Sequence, residues 1–284
     1  MSQAHPGQIP QAQFTLPDVK HLVAVGAGKG GVGKSTVSAL LAVGLQRRNR
    51  RVGILDADVY GPSIPTLMGV GDVRPEVDAE RQRISPVSAA GVKVMSIGFM
   101  VQPDQAAVMR GPMVHGVLKQ FLEQVDWGPL DYLIVDLPPG TGDAPLSLAQ
   151  SIPVSGAVVV CTPQDLALSD ARRAVTMYRK LNVPVLGIIE NMSYYLCPQC
   201  GARDEIFDCG GAEQAAGALD IAFLGALPLN ADIRRFSDAG TPDKNFTSAA
   251  DSVRRALDDV VAAFEARISA HVADAPPAPS ITFE

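Results

Sequence analysis

The sequence predicts an α/β protein, a doubly wound, mostly parallel sheet with helices on both faces. Three observations carry this. Short runs rich in Val, Ile and Leu recur along the 284 residues. Most of them lack polar alternation, as strands buried on both faces do. Helical patterns lie between several of them.

The apolar runs are "HLVAVGA" from His21, "RVGILDA" from Arg51, "VKVMSIG" from Val92, "DYLIVDL" from Asp131, "GAVVVCT" from Gly156, "PVLGIIE" from Pro184 and "FLGALP" from Phe223. From Pro112 to Val125, Met113, Val117, Phe121 and Val125 repeat every four residues, with Val114, Leu118 and Leu122 alongside, which predicts a helix with one broad apolar stripe. A second helix is expected from Ser169 to Leu181, opening on Ser-Asp and closing near Asn182 and Pro184. The last, over Thr247 to His271, sets Val253, Leu257, Val260, Val261, Phe264 and Ile268 on one face. Its arginines are interspersed with Asp258, Asp259 and Glu265, which suits packing on its own domain better than lying on a membrane.

Hydrophobic residues at 47% and charged residues at 19% describe a globular protein with a substantial core. One domain is expected over residues 20–272, with a disordered segment at 1–19 and a mobile tail at 273–284. The opening "MSQAHPGQIPQAQF" has neither the charged start nor the apolar stretch of a signal peptide, and no apolar run approaches a membrane span, so a cytoplasmic location is expected. A net charge of -6 argues against general nucleic-acid binding. The basic run "RRNRR", Arg47 to Arg51, falls where a helix is predicted to end, and cations there favour the helix dipole.

The strongest local signal is "GKGGVGKST", Gly28 to Thr36, between a predicted strand and a helical run. Gly28, Gly33, Lys34 and Ser35 satisfy the P-loop spacing, with Lys29, Gly30, Gly31 and Val32 between them and Thr36 following. Glycines let backbone N–H groups close around phosphate oxygens, Lys34 is expected at the outer phosphates of ATP, and the Ser35 hydroxyl at magnesium. "ILDADVYGPS" puts Asp56 and Asp58 at the end of one strand, and "LIVDLPPGTGD" puts Asp136 at the end of another, facing the ligand crevice. Asp136 fits the Walker-B position, Asp56 is a second candidate for magnesium, and Asp58 is placed to orient the attacking water.

Lys29 makes "KGGVGKS" resemble the deviant P-loop of the MinD/ParA/nitrogenase-iron-protein class. The resemblance implies an ATP-dependent homodimer in which this lysine reaches across to the partner's nucleotide. Outside the loop, "DADVYGPSIPTLMG", "VMSIGFMV", "VMRGPMV", "VDWGPLDYLIVDLPPGTGD", "CTPQDLALSDARRA" and "ENMSYYLCPQCG" resemble the Mrp/ApbC family of iron-sulfur cluster carrier ATPases over about Lys20 to Ala239. That resemblance implies a homodimer that binds a 4Fe-4S cluster, hydrolyses ATP and passes the cluster to apo iron-sulfur proteins. It also implies cluster ligands at Cys197 and Cys200 and a base-contacting asparagine at Asn191. Two departures stand out. Many relatives carry a further small N-terminal domain, and "IFDCGG" has Asp208 where relatives often have glycine and Cys209 where they have no cysteine.

The cysteine pair supports more than one reading. Cys-x-x-Cys suits two thiolates on one metal centre, with Pro198 and Gly201 in a tight turn. A zinc knuckle in a P-loop ATPase scaffold needs two further ligands, of which Cys209 is one candidate. A redox pair is disfavoured because the motif opens no helix after a first strand. If the chain dimerises, a two-fold axis near this loop brings two pairs together and supplies four thiolates for a bridging cluster. A ParA/MinD-like positioning ATPase, acting on DNA or membrane, is the alternative from another class. Cys161, ending a buried run, is expected in the core, and Cys209 is expected to be a bystander.

Overall fold

Strands without polar alternation must be covered on both faces, and each of the seven apolar runs forms such a strand. The computed structural model describes residues 16, 18–100, 111–142, 145, 146, 149, 154–197 and 199–274. Its first half runs β1 (Val19–Gly26), α1 (Lys34–Arg47), β2 (Val52–Asp56), α2 (Ile64–Leu67), β3 (Glu76–Asp78), β4 (Arg83–Ser85), β5 (Val87–Ala89), β6 (Val92–Ser96), α3 (Gly111–Gln124) and β7 (Leu130–Asp136). The second half runs β8 (Gly156–Cys161), α4 (Asp165–Lys180), β9 (Val185–Glu190), β10 (Tyr195–Leu196), β11 (Arg203–Asp204), α5 (Gly211–Ala218), β12 (Phe223–Ala226), α6 (Ala231–Asp238), α7 (Lys244–Thr247) and α8 (Asp251–Asp274).

The main sheet has the order β12-β9-β8-β1-β7-β2-β6-β5, parallel throughout except for β5, which pairs antiparallel with β6. Every residue of β2 and β8 is buried. Helices α1 and α8 pack together on one face and α4 and α5 on the other, as right-handed crossovers in opposite directions from the centre require. Seven strand C-termini therefore share one edge. The register aligns them closely, with Val25 and Asp56 both opposite Asp136, and Cys161 opposite Glu190.

Differences from the predicted elements have local causes. Helix α4 starts at Asp165, ahead of the predicted Ser169, because Gln164 adopts an extended cap (φ -61°, ψ 139°) and Asp165 sets a negative charge in the first turn. The last helix starts at Asp251 rather than Thr247, since Thr247 closes the short α7 and Ser248 (φ -122°) follows as its C-cap. Helix α8 continues to Asp274, so 273–274 are helical rather than tail. Val19, assigned to the disordered segment, belongs to β1. Residues 1–15 and 275–284, where disorder was expected, lie outside the described residues. The ribbons β3/β4 and β10/β11 and the edge strand β5 are two or three residues long, too short to leave a period in the sequence. The stripe of α8 is buried as expected at Val253, Leu257, Val260, Val261, Phe264 and Ile268. No helix among the described residues is long and apolar enough to cross a membrane.

The basic run is exposed but has partners within the chain. The Arg47 guanidinium lies 5.5 Å from the centre of the Phe246 ring. Arg48 and Arg50 donate through Nε to the two oxygens of Glu265 at 2.5 and 2.7 Å. Arg51 pairs with Asp131 at 3.0 Å, and Lys20 approaches the same carboxylate at 2.8 Å. Arg47, Arg48 and Arg50 thus tie the end of α1 to α7 and α8, and Arg51 ties the start of β2 to β7.

Arg51, helped by Lys20, holds the Asp131 carboxyl well below the usual carboxylate range. A depressed pKa contributes stability that is present above the unfolded value, about pH 4, and is lost as pH falls below it. Both cations are largely exposed and screened, so Asp131→Asn is expected to cost about 1 kcal/mol at pH 7 and low salt. Urea unfolding should show that gap constant from neutral pH to about pH 5 and closing below about pH 4. A gap that widens in acid would contradict this assignment.

Candidate functional site

The phosphate loop leaves β1 at Gly26 and enters α1 at Lys34. Gly31 and Gly33 take left-handed conformations (φ +83° and +80°), which let successive N–H groups turn toward one point. A Cβ on Gly33 would lie 2.2 Å from Asn191 Nδ2, whereas one on Gly31 would meet nothing within 4 Å. The loop is therefore open outward at Gly31 and closed inward at Gly33.

Lys34 is buried, and its Nζ lies 2.7 Å from Asp136 Oδ2. The Ser35 hydroxyl donates to the same oxygen at 2.5 Å, and the buried Ser38 hydroxyl donates to Oδ1 at 2.6 Å. Asp136, with 0% exposure, is thus compensated by one ammonium and two hydroxyls. The structure joins three residues that the sequence had assigned to one site, Lys34, Ser35 and Asp136. Lys29 is half-buried and Thr36 follows in the first turn of α1, likewise half-buried.

Asp56, the second acid expected near magnesium, is held by four donors. Its Oδ2 accepts from the Ser63 N–H (3.0 Å), the Ile64 N–H (3.1 Å) and the Ser96 hydroxyl (3.0 Å), and its Oδ1 accepts from the Asp58 N–H (3.1 Å). Burial, and then the Asp136 carboxylate, push its pKa up. With both oxygens engaged by protein donors, Asp56 shapes the loop after β2 and orients Asp58. Asp58 is half-exposed, and its Oδ1 receives the N–H groups of Tyr60 (3.3 Å) and Gly61 (3.2 Å).

Asn191, at the end of β9, donates through Nδ2 to the Val32 carbonyl at 2.9 Å and is buried against the loop. From there the chain leaves the sheet as the β10/β11 hairpin, which carries the cysteines at its tip. Gly201 N–H bonds the Cys197 carbonyl (2.8 Å), and Cys197 N–H bonds the Ala202 carbonyl (2.9 Å), closing the turn. The N–H groups of Cys200 and Gln199, with the Cys200 thiol, hold the Cys197 thiol below its ordinary pKa. Donors aimed at sulfur stabilise a thiolate, the form that binds metal. Cys197 is half-exposed and Cys200 exposed. Cys209 lies apart from this turn, with Arg203 Nη2 at 3.7 Å from its sulfur, and Glu205 raises its pKa. Cys161 is buried, and burial pushes its thiol up to about 12. Among the described residues no three His, Cys, Asp or Glu side chains converge as a metal site.

Two residues of this edge were missed by the sequence reading. Ser38 lies one turn beyond the motif, and Glu190 ends an apolar strand in the same way as Asp56 and Asp136. The strand-end rule that selected those aspartates selects Glu190 as well.

A doubly wound sheet with a phosphate loop on its central strand and an acid at the neighbouring strand end defines a P-loop NTPase. A ParA family model, described as NUBPL iron-transfer P-loop NTPase, matches residues 18–264, and the chain belongs to that family. It is 52% identical over 230 residues to the iron-sulfur cluster carrier protein of Haemophilus influenzae, covering 81% of this chain and 62% of that relative. To the iron-sulfur cluster carrier protein of Aquifex aeolicus it is 48% identical over 261 residues, covering 88% and 71%. The chain thus spans less than two thirds of the first relative's length. Among solved structures, the nucleotide-binding protein of Archaeoglobus fulgidus in complex with ADP matches with a TM-score of 0.72 at 43% identity, covering 81% of this chain and 90% of that one. The Pyrococcus furiosus cell division ATPase MinD, at 20% identity, shares the fold with a TM-score of 0.66, covering 87% and 99%.

The two left-handed glycines separate backbone strain from contact. Gly31→Ala is expected to cost about 1 kcal/mol, the strain alone. Gly33→Ala should cost about twice that or more, because the added Cβ also displaces Asn191 from Val32. Urea denaturation of the two variants measures the difference, and equal losses would contradict the Asn191 contact.

Proposed function

We propose that this chain is an ATP-dependent iron-sulfur cluster carrier that works as a homodimer in the cytoplasm and delivers 4Fe-4S clusters to apo iron-sulfur proteins. One observation carries the reading. The thiolate-stabilising turn at Cys197 and Cys200 is exposed, is joined by no third metal-ligating side chain among the described residues, and is held on the same sheet edge as the phosphate loop. Two copies of the pair around a two-fold axis supply the four thiolates that a cluster takes. A cargo held between subunits near the surface is released more readily than one enclosed by a single chain.

ATP is bound by the loop from Gly28 to Thr36, with backbone N–H groups on its phosphates. Lys34 moves from Asp136 to the outer phosphates, and Lys29 reaches the partner's nucleotide, as the family resemblance implies. Ser35 and Asp136, already 2.5 Å apart, fit a magnesium ion, which supplies neutralisation of charge on the phosphates. Asp56, the second carboxylate beside the magnesium site, also organises the loop that carries Asp58. Asp58, on that loop, orients the water that attacks the outer phosphorus as the bond to ADP breaks. Asn191 contacts the base while its amide nitrogen holds Val32.

Anaerobic reconstitution should load about one 4Fe-4S cluster per two chains, and Cys197→Ala with Cys200→Ala should abolish loading. A normal cluster in the double variant would sink the cargo assignment. Asp58→Asn should lower kcat for ATP hydrolysis about a hundredfold. Steady-state kinetics giving a kcat within about twofold of the parent would remove Asp58 from that role.

A further inference from the structure

We infer that Glu190 is a positioning residue that ties the cysteine hairpin to the nucleotide loop. The inference rests on the reading of Cys197 and Cys200 as the cargo site and names the residue through which nucleotide reaches them.

Glu190 closes β9 and has 0% exposure. Its carboxylate gathers both ends of the excursion that carries the cysteines. On the outgoing leg the Ser193 hydroxyl donates to Oε1 at 2.6 Å. On the returning leg the Gly210 N–H donates to Oε1 at 3.2 Å and the Ala212 N–H to Oε2 at 2.8 Å. No described cation pairs with it. A carboxylate withdrawn from water without a counter-charge is costly, and here the Ser193 hydroxyl and the N–H groups at the start of α5 offset the cost. Two acceptor oxygens are needed, since an amide in the same place would turn an NH2 group toward one of the N–H donors.

The next residue completes the connection. Asn191 holds the Val32 carbonyl and packs on Gly33, so consecutive side chains at one strand end grip the phosphate loop and the cysteine loop. The backbone between them is not relaxed. Met192 and Asp208, one on each leg, are non-glycine residues with positive φ (+54° and +70°), conformations that persist only where the surroundings impose them. The outgoing leg is also laid against the segment after β12, through Ser193 N–H to the Leu227 carbonyl (2.9 Å) and Leu229 N–H to the Tyr194 carbonyl (2.7 Å). A shift of the phosphate loop at Gly33 therefore moves the end of β9, and Glu190 passes that movement to the hairpin as a body.

The test uses the cluster-free full chain. Iodoacetamide alkylation rates of Cys197 and Cys200 are followed by peptide mass spectrometry, with and without magnesium and a non-hydrolysable ATP analogue. In the parent chain the analogue should change those rates about fivefold or more. In Glu190→Gln, and separately in Ser193→Ala, analogue binding should persist while the change falls below about twofold. Ser193→Ala removes one hydroxyl and leaves two N–H donors, so it decides the matter if Glu190→Gln does not fold. A merely structural role would raise the alkylation rates equally with and without analogue and preserve their ratio. A full parental ratio in either folded variant overturns the proposal, as does a parent chain that shows no response. Cluster loading is measured separately, so a parent chain that takes up no cluster would remove the cargo reading while leaving this ratio to stand on its own.

Discussion

Three carboxylates with 0% exposure, Asp56, Asp136 and Glu190, stand at the ends of parallel strands, and the working edge is arranged around their need for donors. A buried carboxylate that loses its partners is a liability of several kcal/mol. Each therefore fixes the segment that supplies them. Asp56 gathers the turn containing Asp58 and the start of α2. Asp136 gathers Lys34, Ser35 and Ser38, and so sets the rotation of α1 beneath the phosphate loop. Glu190 gathers both ends of the cysteine loop. One physical constraint, repeated on three strands, places the phosphate loop and the cysteine hairpin on a single edge.

The parallel sheet makes that repetition possible. Strands that all run the same way bring their C-termini to one side, and the register sets Asp56 and Asp136 opposite each other with Glu190 beside Cys161. The arginines of the basic run serve the opposite end. Their engagement with Phe246, Glu265 and Asp131 agrees with the structural reading of the run at the end of a helix.

Much of this was legible in the sequence because the relevant physics is local. Seven non-alternating runs became seven strands, and a glycine-rich loop between strand and helix became a phosphate loop, since left-handed backbone at Gly31 and Gly33 leaves few alternatives to glycine. Partnerships across the chain were not legible. The strand-end position of Asp56 does not show that the N–H groups of Ser63 and Ile64 and the Ser96 hydroxyl converge on it. Nothing in the run around Asn191 signals that its amide also donates to the Val32 carbonyl, across the chain. The start of α4 was misjudged for a related reason. Ser169 and Asp170 have the chemistry of a helix start, yet the extended backbone at Gln164 had already begun the helix at Asp165.

The cysteine hairpin brings the account to its sharpest claim. Its turn favours a thiolate at Cys197, its tip is exposed, and the described residues of one chain add no further ligands. A symmetric pair of hairpins removes the shortage. Native mass spectrometry of the anaerobically reconstituted protein tests this most directly. The account predicts a two-chain species carrying a single 4Fe-4S cluster, which falls to cluster-free protein when both cysteines are replaced. A one-chain species that retains a cluster or a zinc ion through Cys197 and Cys200 would contradict it.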